Sequence, residues 1–474
     1  MKFLKENNRI EYKKAKGGLP NSVWETYSAF ANTDGGTIYL GIEELKNREL
    51  ISSMLSEKNV EELRIAFWTT INNIEKVSAN ILKDEDVSII EYQGYYVLKI
   101  DVPRASRELR PVYLNNNPNT GSFKRNNEGD YHCTLSEIKA MYRDAQDKPQ
   151  DLLCLEDLGL DTLCNETIDS YRNRFGVLHR DHVFLNKSRE EFLEFIGAIR
   201  MGKDGNYHPT RAGLLMFGYE YKIVYEFPEY YLDYEEHHSE GSDVRWTDRI
   251  VSTSGDWSGN LFDFYNKTIS RMFSSVKLPF VMDGANRKDE NDLHVIIREA
   301  LCNAICNGDF YLSRGLVINN YYDHFEISNP GSFRIELQDA YKGGVSDVRN
   351  KTIQKMFGLI GVGERAGSGI VTIMNISRKL NLTMPKYELY ISPDRVKLTV
   401  YLTEEAKTDK KEERKLQILS YLENNDNAKA KDIADSLNMN ITTLKKELYQ
   451  LLEEGQISSS GTIKDKRYFL ISRK

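Results

Sequence analysis

The sequence lacks paired cysteines and long apolar runs. Its five cysteines include no CxxC pair and no zinc-finger spacing with histidine, so we expect free thiols in a reducing compartment. No stretch of about 18 apolar residues is available to span a bilayer, and the opening residues MKFLKENNRIEYKK contain no apolar signal segment. These absences predict a cytoplasmic protein that has no membrane partner.

The sequence also lacks an excess of positive charge. Its 64 lysines and arginines are outnumbered by 71 aspartates and glutamates, which gives a net charge of −7. Proteins coated in nucleic acid are usually basic, so any contact with RNA or DNA must come from local patches. The composition, 40% hydrophobic and 28% charged, is that of a globular protein. A chain of 474 residues is too long for one core and allows about three domains.

Strand-like and helical runs alternate along the chain, which predicts a multi-domain α+β fold. An α+β domain is predicted over residues 1–145, with strands at 37–42 and 95–102 and a helix at 60–74. A connecting α/β region is predicted over 146–290, with helices at 190–199 and 260–273 and a strand-like run at 212–218. An α/β sandwich is predicted over 291–405, with a helix at 294–305, strands at 316–322 and 324–329, and a strand pair near 387–403.

A charged run at 404–415 is typical of a solvated linker. After it, residues 406–474 predict a winged helix-turn-helix, with helices at 416–424, 430–438 and 441–455 and two short strands around Gly461. Thr442 and Thr443 begin the second helix of the motif, where side chains reach bases or phosphates. Lys445, Lys446 and Arg467 would neutralise phosphates. The alternative is a dimerisation or protein-docking module, because Glu447, Glu453 and Glu454 dilute the positive charge of that helix.

The N-terminus carries an acidic motif. If residues 10–14 form a strand, its period of two places Glu11 and Lys13 on one face. A carboxylate beside an ammonium group is frequent in metal-dependent nucleases, where the carboxylate holds a divalent cation and the lysine balances phosphate charge. Glu6 needs a bend to converge on them, and Glu43 or Glu44 can supply a third carboxylate. A surface ion pair is the alternative explanation.

Residues 1–135 resemble the Schlafen AlbA_2 domain. The resemblance rests on Glu11-Tyr12-Lys13, on the run 19–42 with its SAFANT sequence and double glycine, and on segments 102–104 and 110–113. In Schlafen proteins with ribonuclease activity, the pattern E-x4-E-x-K and a later acidic residue form a metal-dependent site. The resemblance thus implies Mg²⁺ or Mn²⁺ on Glu6, Glu11 and Glu43, beside Lys13. The family usually has aspartate where Glu43 stands, and Glu44 stays the alternative.

Five cations in the same domain have aromatic residues interleaved with them, as a groove that follows a nucleic-acid backbone requires. They are Arg104, Arg107, Arg110, Lys124 and Arg125, with Tyr113 and Phe123 among them. The alternative is an ordinary charged surface.

Residues 290–405 resemble the GHKL-type ATP-binding domain, in its form related to the RecG C-terminus. The resemblance rests on segments 298–304, 325–331 and 364–370. In active members of that fold, the positions of Asn303 and Glu299 hold magnesium and activate water. Gly367 and Gly369 would let the backbone approach phosphates. The adenine-binding loop reads Asn329-Pro330-Gly331 where active relatives have aspartate before their glycines, so a degenerate domain kept for dimerisation is the alternative.

Two functions follow from these expectations. The first is a Schlafen-type, metal-dependent endoribonuclease acting on tRNA or another RNA, in a setting such as phage defence. The second is a non-catalytic DNA-binding transcriptional regulator with a degenerate ATP-binding domain. We expect a homodimer in either case, because single winged helices bind weakly.

Overall fold

The computed structural model describes residues 6–45, 47–237, 246–275, 282–283, 286–287, 292–363, 369–391, 394–402, 410–425, 427–437, 439–453, 456–460 and 466–470. The chain divides into two compact units. The first comprises residues 1–376 and 385–400, and the second comprises residues 377–384 and 401–474. This division and the mixture of helices and sheets confirm a multi-domain α+β fold.

The N-terminal domain (residues 6–145) is built around a four-stranded sheet of order β1-β2-β6-β5, in which β1 and β2 are parallel. Its elements are β1 (Ile10–Lys13), α1 (Ser22–Asn32), β2 (Gly36–Leu40), β3 (Ile42–Glu44), β4 (Leu50–Ser52), α2 (Glu57–Ile71), β5 (Val87–Tyr92), β6 (Tyr95–Val102), α3 (Pro118–Gly121), β7 (Phe123–Asn126), β8 (Gly129–His132) and α4 (Leu135–Asp144). The predicted strands at 37–42 and 95–102 and the predicted helix at 60–74 are all present.

Helix α1 is fixed by buried polar contacts as well as by its apolar face. The Asn32 amide donates to the carbonyls of Val112 at 2.8 Å and Phe123 at 3.0 Å, and its oxygen accepts the Val112 N–H at 2.7 Å. Ser28 Oγ donates to the Val112 carbonyl at 2.7 Å. Backbone groups that would otherwise be buried without partners are therefore satisfied by the SAFANT run.

The described part of residues 146–290 supplies helices and six short strands to the first unit. They contain α5 (Asn165–Leu178), α6 (Arg189–Ile196), β9 (Ile199–Met201), β10 (Tyr207–Pro209), α7 (Arg211–Phe217), α8 (Glu220–Glu226), β11 (Leu232–Glu236), β12 (Asp248–Val251), α9 (Leu261–Ser275), β13 (Met282–Asp283) and β14 (Asn286–Arg287). The predicted helices at 190–199 and 260–273 are present, although the first ends at Gly197 in a left-handed conformation.

The strand-like prediction at 212–218 is wrong, because Arg211–Phe217 forms α7. An unbroken apolar run fits a buried helix as well as a buried strand, and every residue from Ala212 to Phe217 is buried. The helix starts where the Thr210 hydroxyl accepts the Gly213 N–H at 3.0 Å. Its backbone also passes so close to the Ala198 carbonyl that a Cβ on Gly213 would lie 1.8 Å from that oxygen.

A six-stranded sheet of order β12-β11-β15-β16-β18-β17 continues into the ATPase-like segment (residues 291–405). This segment contains α10 (Asp292–Asn307), β15 (Leu316–Asn320), β16 (His324–Pro330), α11 (Leu337–Lys342), α12 (Lys351–Leu359), α13 (Gly369–Lys379), β17 (Lys386–Ile391) and β18 (Asp394–Tyr401). Helix α10 packs on β16, and β11 pairs in parallel with β15. Strands from both sides of the predicted boundary at residue 290 thus share one sheet.

The C-terminal module (residues 410–470) has three helices and a small sheet of order β19-β21-β20. Its elements are α14 (Lys410–Asn424), β19 (Ala428–Lys429), α15 (Ala430–Ser436), α16 (Ile441–Glu453), β20 (Ile457–Ser460) and β21 (Arg467–Leu470). Its core is formed by residues from all three helices and the sheet, among them Ile418, Ile433, Leu444, Leu448 and Tyr468. The predicted helices and strands are found, while the hairpin tip around Gly461 lies outside the described residues.

All five cysteines are free, as the sequence predicts. In the part of the chain that the structure describes, none of the helices has the length and apolar character needed to cross a bilayer.

Asp151 ties the region after the N-terminal domain to α12. Its carboxylate, 3% exposed, accepts the N–H groups of Thr352 at 2.7 Å and Ile353 at 3.0 Å, and the Thr352 hydroxyl at 3.0 Å. These two N–H groups belong to the first turn of the helix and have no partner within it. Asp151→Ala is expected to lower the free energy of unfolding by about 2 kcal/mol.

Urea unfolding of the full chain measures this loss, with the exposed Asp157→Ala as the matched control. An Asp151→Ala variant as stable as the control would show that α12 does not depend on this contact.

Candidate functional site

The acidic motif lies on β1, as expected. Lys13 Nζ lies 3.0 Å from Glu11 Oε1, which confirms that the two side chains share a face of the strand. Both are largely buried, at 11% and 15% exposure. The pair is therefore an internal ion pair and not a solvated one on the surface.

The second oxygen of Glu11 is held by Arg125. Arg125 Nη2 lies 2.8 Å from Glu11 Oε2, and Nη1 lies 2.9 Å from Asp130 Oδ1. The Arg125 side chain is 2% exposed, and its guanidinium lies over the ring of Phe30, 5.1 Å from the ring centre. The sequence predicted Arg125 as a nucleic-acid contact. That prediction is wrong, since the side chain is buried and both of its Nη atoms are paired with carboxylates.

Glu44, not Glu43, is the carboxylate of β3 that contacts Glu6. Glu44 Oε2 accepts the backbone N–H of Glu6 at 3.0 Å, while Glu43 lies 2.7 Å from Lys14 Nζ. Successive residues of a strand point to opposite faces, and β3 separates the two glutamates in this way. The geometry therefore favours Glu44, the alternative that the spacing left open, over Glu43.

Glu6 is the carboxylate of this group whose pKa is raised. Its Oε1 accepts the Tyr12 N–H at 3.0 Å. Burial raises the pKa of Glu6 above its usual range, the hydrogen bond from Tyr12 opposes this, and the charges of Glu11 and Glu44 raise it further. Three carboxylates thus lie close enough to interact, although burial is the larger cause.

The residues do not fit a divalent metal as they stand. Within the described ranges, no group of three or more His, Cys, Asp or Glu side chains has the arrangement needed to hold one. Both oxygens of Glu11 are occupied by cations, and Glu6 and Glu44 each accept a backbone N–H. Mg²⁺ demands near-ideal octahedral oxygen ligands, so it would have to displace Lys13 or Arg125.

Three of the remaining four cations of the predicted groove are also engaged. Arg104 donates to the Phe333 carbonyl at 3.0 Å, Arg107 lies 2.7 Å from Asp347, and Lys124 is paired with Glu137. Arg110 is buried, with 7% of its surface exposed. The predicted groove is therefore wrong, because these cations face the interior where the N-terminal domain packs on the ATPase-like segment.

The sequence did not reveal a set of buried arginine–aspartate pairs. Arg349 bonds to Asp144, and Arg143 lies 2.8 Å from Asp309, a carboxylate that is 3% exposed. Asp309 follows Asn307 and Gly308 at the end of α10. Its partner Arg143 lies 166 residues away along the chain, so the sequence did not reveal the pair.

Four residues predicted to bind a nucleotide line one cavity of about 100 Å³: Glu299, Asn303, Asn329 and Gly369. Glu299 and Asn303 lie one turn apart on α10, and a Cβ on Gly369 would lie 2.3 Å from the Asn303 amide nitrogen. Gly331 lines the neighbouring cleft instead, and Gly367 lies outside the described residues. The structure thus gathers the central residues of the predicted site.

The cavity is small and contains a buried amide group without a hydrogen-bond partner among the described residues. Asn303 Nδ2 is buried without a hydrogen-bond partner among the described residues, and burial raises the pKa of Glu299. An orphaned amide beside a desolvated carboxylate is typical of a ligand site. Ligand pockets usually measure about 300–1,000 Å³, so the cavity is small for ATP.

Helix α16 presents one polar face to solvent. Thr442, Lys445 and Lys446 are exposed, and Thr443 and Arg467 are partly buried. The sequence missed Tyr449, which is 62% exposed on the same face. It also misjudged Glu447, which is 3% exposed and lies 3.5 Å from Arg414.

These features define a multi-domain α+β protein, and three family models match parts of the chain. Residues 6–134 match "Schlafen, AlbA_2", residues 314–400 match "Putative ATP-dependent DNA helicase recG C-terminal", and residues 139–233 match "Domain of unknown function (DUF8451)". The chain therefore carries a Schlafen AlbA_2 domain and a domain of the RecG C-terminal type. This confirms both resemblances seen in the sequence.

Two solved structures are similar to the chain. The crystal structure of the DIP2311 protein from Corynebacterium diphtheriae is 14% identical, with a TM-score of 0.41, covering 98% of this chain and 95% of that one. The solution structure of the N-terminal domain of "Putative ATP-dependent DNA Helicase RecG-related Protein" from Nitrosomonas europaea is 19% identical, with a TM-score of 0.20, covering 27% of this chain and 82% of that one. A comparison with curated proteins gave no match.

The raised pKa of Glu6 makes a prediction about stability. The pKa of Glu6 in the folded state lies above the ordinary 4.5, so the ionised carboxylate destabilises the fold. The protonated carboxyl stabilises the fold fully below pH 4.5, and this contribution is lost as the pH rises through the folded-state pKa. Glu6→Gln keeps the acceptor for Tyr12 but not the charge. Its melting temperature is expected to exceed that of the wild type well above pH 4.5 and to converge with it below.

Melting curves across pH measure this difference, with the exposed Glu25→Gln as control. A Glu6→Gln variant that is less stable than the wild type at neutral pH would contradict the assignment of Glu6 as a penalised charge.

Proposed function

We propose that this protein is a nucleic-acid-binding regulator that contacts duplex DNA through the exposed face of α16 and does not cleave its target. The observation that carries the proposal is the arrangement of α16. Thr442, Lys445, Lys446 and Tyr449 recur every three or four residues on one exposed face, while Leu444, Leu448 and Leu451 are buried.

The chemistry of this face suits a DNA groove. A helix fits the major groove, where lysines neutralise phosphates and threonine hydroxyls reach bases or phosphates. One glutamate of this helix that would oppose a phosphate, Glu447, is buried and lies 3.5 Å from Arg414. The order α15–α16 followed by a hairpin is that of a winged helix-turn-helix, with α16 as the recognition helix.

The family matches support the broader part of this proposal. A Schlafen AlbA_2 domain and a domain of the RecG C-terminal type both belong to nucleic-acid-related proteins. A homodimer suits the proposal, because two recognition helices bind adjacent half-sites more tightly than one binds alone.

The cavity around Glu299 and Asn303 is the proposed place for a nucleotide in such a regulator. When bound, ATP would supply a triphosphate whose charge the α13 end of the cavity would receive beside Gly369. The Asn303 amide would donate to a ligand oxygen, and the Glu299 carboxyl would lie beside it on α10.

Replacing both lysines of α16 tests the DNA contact. Lys445→Ala/Lys446→Ala is expected to weaken duplex binding and to lower the slope of log affinity against log salt by about 2, since each phosphate contact contributes about 0.9. Fluorescence anisotropy with a labelled duplex at several salt concentrations measures both quantities.

The matched control is Lys58→Ala/Lys83→Ala, which removes the same charge from exposed positions of the N-terminal domain. Equal losses in the two double variants would show that only net charge matters, and the role of α16 would then be wrong.

A metal-dependent ribonuclease is the second candidate. One observation favours it: Glu6, Glu11 and Glu44 lie close enough for the latter two to raise the pKa of Glu6 beyond the effect of burial. The saturation of Glu11 by Lys13 and Arg125 opposes it.

We therefore expect labelled tRNA to stay intact with the purified full chain, whether Mn²⁺ or EDTA is present. Gel analysis of the RNA checks this, beside a Glu11→Gln variant. Cleavage that requires both Mn²⁺ and Glu11 would establish the ribonuclease and remove the non-catalytic part of the proposal.

A further inference from the structure

A cleft of about 440 Å³ lies where the N-terminal domain packs on the ATPase-like segment. It is distinct from the cavity around Glu299 and Asn303, although Ser332, Phe333 and Ile335 border both. Its volume falls in the range of about 300–1,000 Å³ that is usual for small-molecule sites.

Arg110 lines this cleft and is a buried cation without a partner. Only 7% of its surface is exposed, and its Nε has no hydrogen-bond partner. Among the residues that the structure describes, no carboxylate lies within 4.0 Å of its guanidinium and no acceptor bonds to it. Buried charges in proteins are normally paired, so an arginine in this state indicates a missing anion.

Several other charged groups at the cleft have partners of their own. Lys124 pairs with Glu137, Arg349 bonds to Asp144, and Arg104 lies 3.6 Å from Glu336. Arg395 donates to the carbonyls of Gly315 and Ser328 at 3.2 and 3.1 Å. Asp309 is held by Arg143 at 2.8 Å.

The electrostatics of Arg110 agree with this. Burial, together with the neighbouring charges of Arg104 and Arg349, lowers the pKa of Arg110 to about 10, against the attraction of Asp144 and Asp394. Asp394 also lines the cleft, and burial raises its pKa to about 6, so it contributes less negative charge there under mildly acidic conditions.

We propose that this cleft binds the phosphate group of a nucleotide-sized molecule, with the Arg110 guanidinium donating to two phosphate oxygens. Arginine presents parallel N–H groups in the geometry that phosphate accepts. Tyr341 and Tyr390 border the same cleft and are 38% and 47% exposed, so they offer ring faces to a base. A nucleic-acid duplex is too large for this volume, which favours a free nucleotide.

Calorimetric titration of the full chain with inorganic phosphate and with AMP tests the proposal. Both are expected to bind, AMP more tightly. Arg110→Met is expected to weaken binding about tenfold or more, the factor that corresponds to a hydrogen bond to a charged group. It should melt no lower than the wild type without ligand, because it removes an unpaired buried charge.

Arg395→Met is the matched control, since this arginine borders the same cleft and is similarly buried, but both of its Nη atoms donate to backbone carbonyls. It is expected to lower the melting temperature and to keep the affinity for phosphate. If Arg110→Met does not fold, Arg110→Lys keeps the charge but not the parallel donors and should still weaken AMP binding.

Three results would overturn the proposal. The first is a wild-type chain that binds neither phosphate nor AMP, and the second is an Arg110→Met variant with wild-type affinity. The third is binding of an oligonucleotide bearing a 5′-phosphate without any binding of AMP, which would assign the phosphate to a nucleic-acid end.

Discussion

The buried arginine–aspartate network between the N-terminal domain and the ATPase-like segment is the constraint on which the rest of the first unit depends. Arg349 is bonded to Asp144, Arg143 lies 2.8 Å from Asp309, and Arg107 lies 2.7 Å from Asp347. Removing charges from water costs several kcal/mol per ion, so each must keep its partner for the packing to hold. Breaking one pair would leave an uncompensated charge inside the protein. The two parts are therefore matched to each other residue by residue.

This network also decides which charges are available for function. Four of the five cations that look like a nucleic-acid groove in the sequence are engaged by acidic groups and carbonyls, and the acidic motif of β1 is neutralised in the same way by Lys13 and Arg125. The cations without an acidic partner are therefore candidates for function. Lys445 and Lys446 are exposed on the face of α16, and Arg110 is buried without a counter-ion. Function is proposed where the charge is not already balanced within the fold.

The ATPase-like segment also contains a buried polar group that has no partner within the fold. Its cavity keeps an orphaned Asn303 amide and a desolvated Glu299 on one face of α10. Asn329 stands where active relatives carry an aspartate, and the cavity is small for a whole nucleotide.

The sequence by itself determined the local elements and the domain types. The period of two on β1 placed Glu11 beside Lys13, the spacing of four on α10 placed Glu299 beside Asn303, and the SAFANT run identified the AlbA_2 domain, because these relations depend on neighbours along the chain. The strand prediction at 212–218 failed because an unbroken apolar stretch has no hydrophobic period that separates a helix from a strand. Only the tertiary structure decided which charged residues form ion pairs. Arg125 pairs with Glu11, which is 114 residues away along the chain, and Arg143 pairs with Asp309, which is 166 residues away. Such pairings are set by packing between distant segments, which no local pattern encodes.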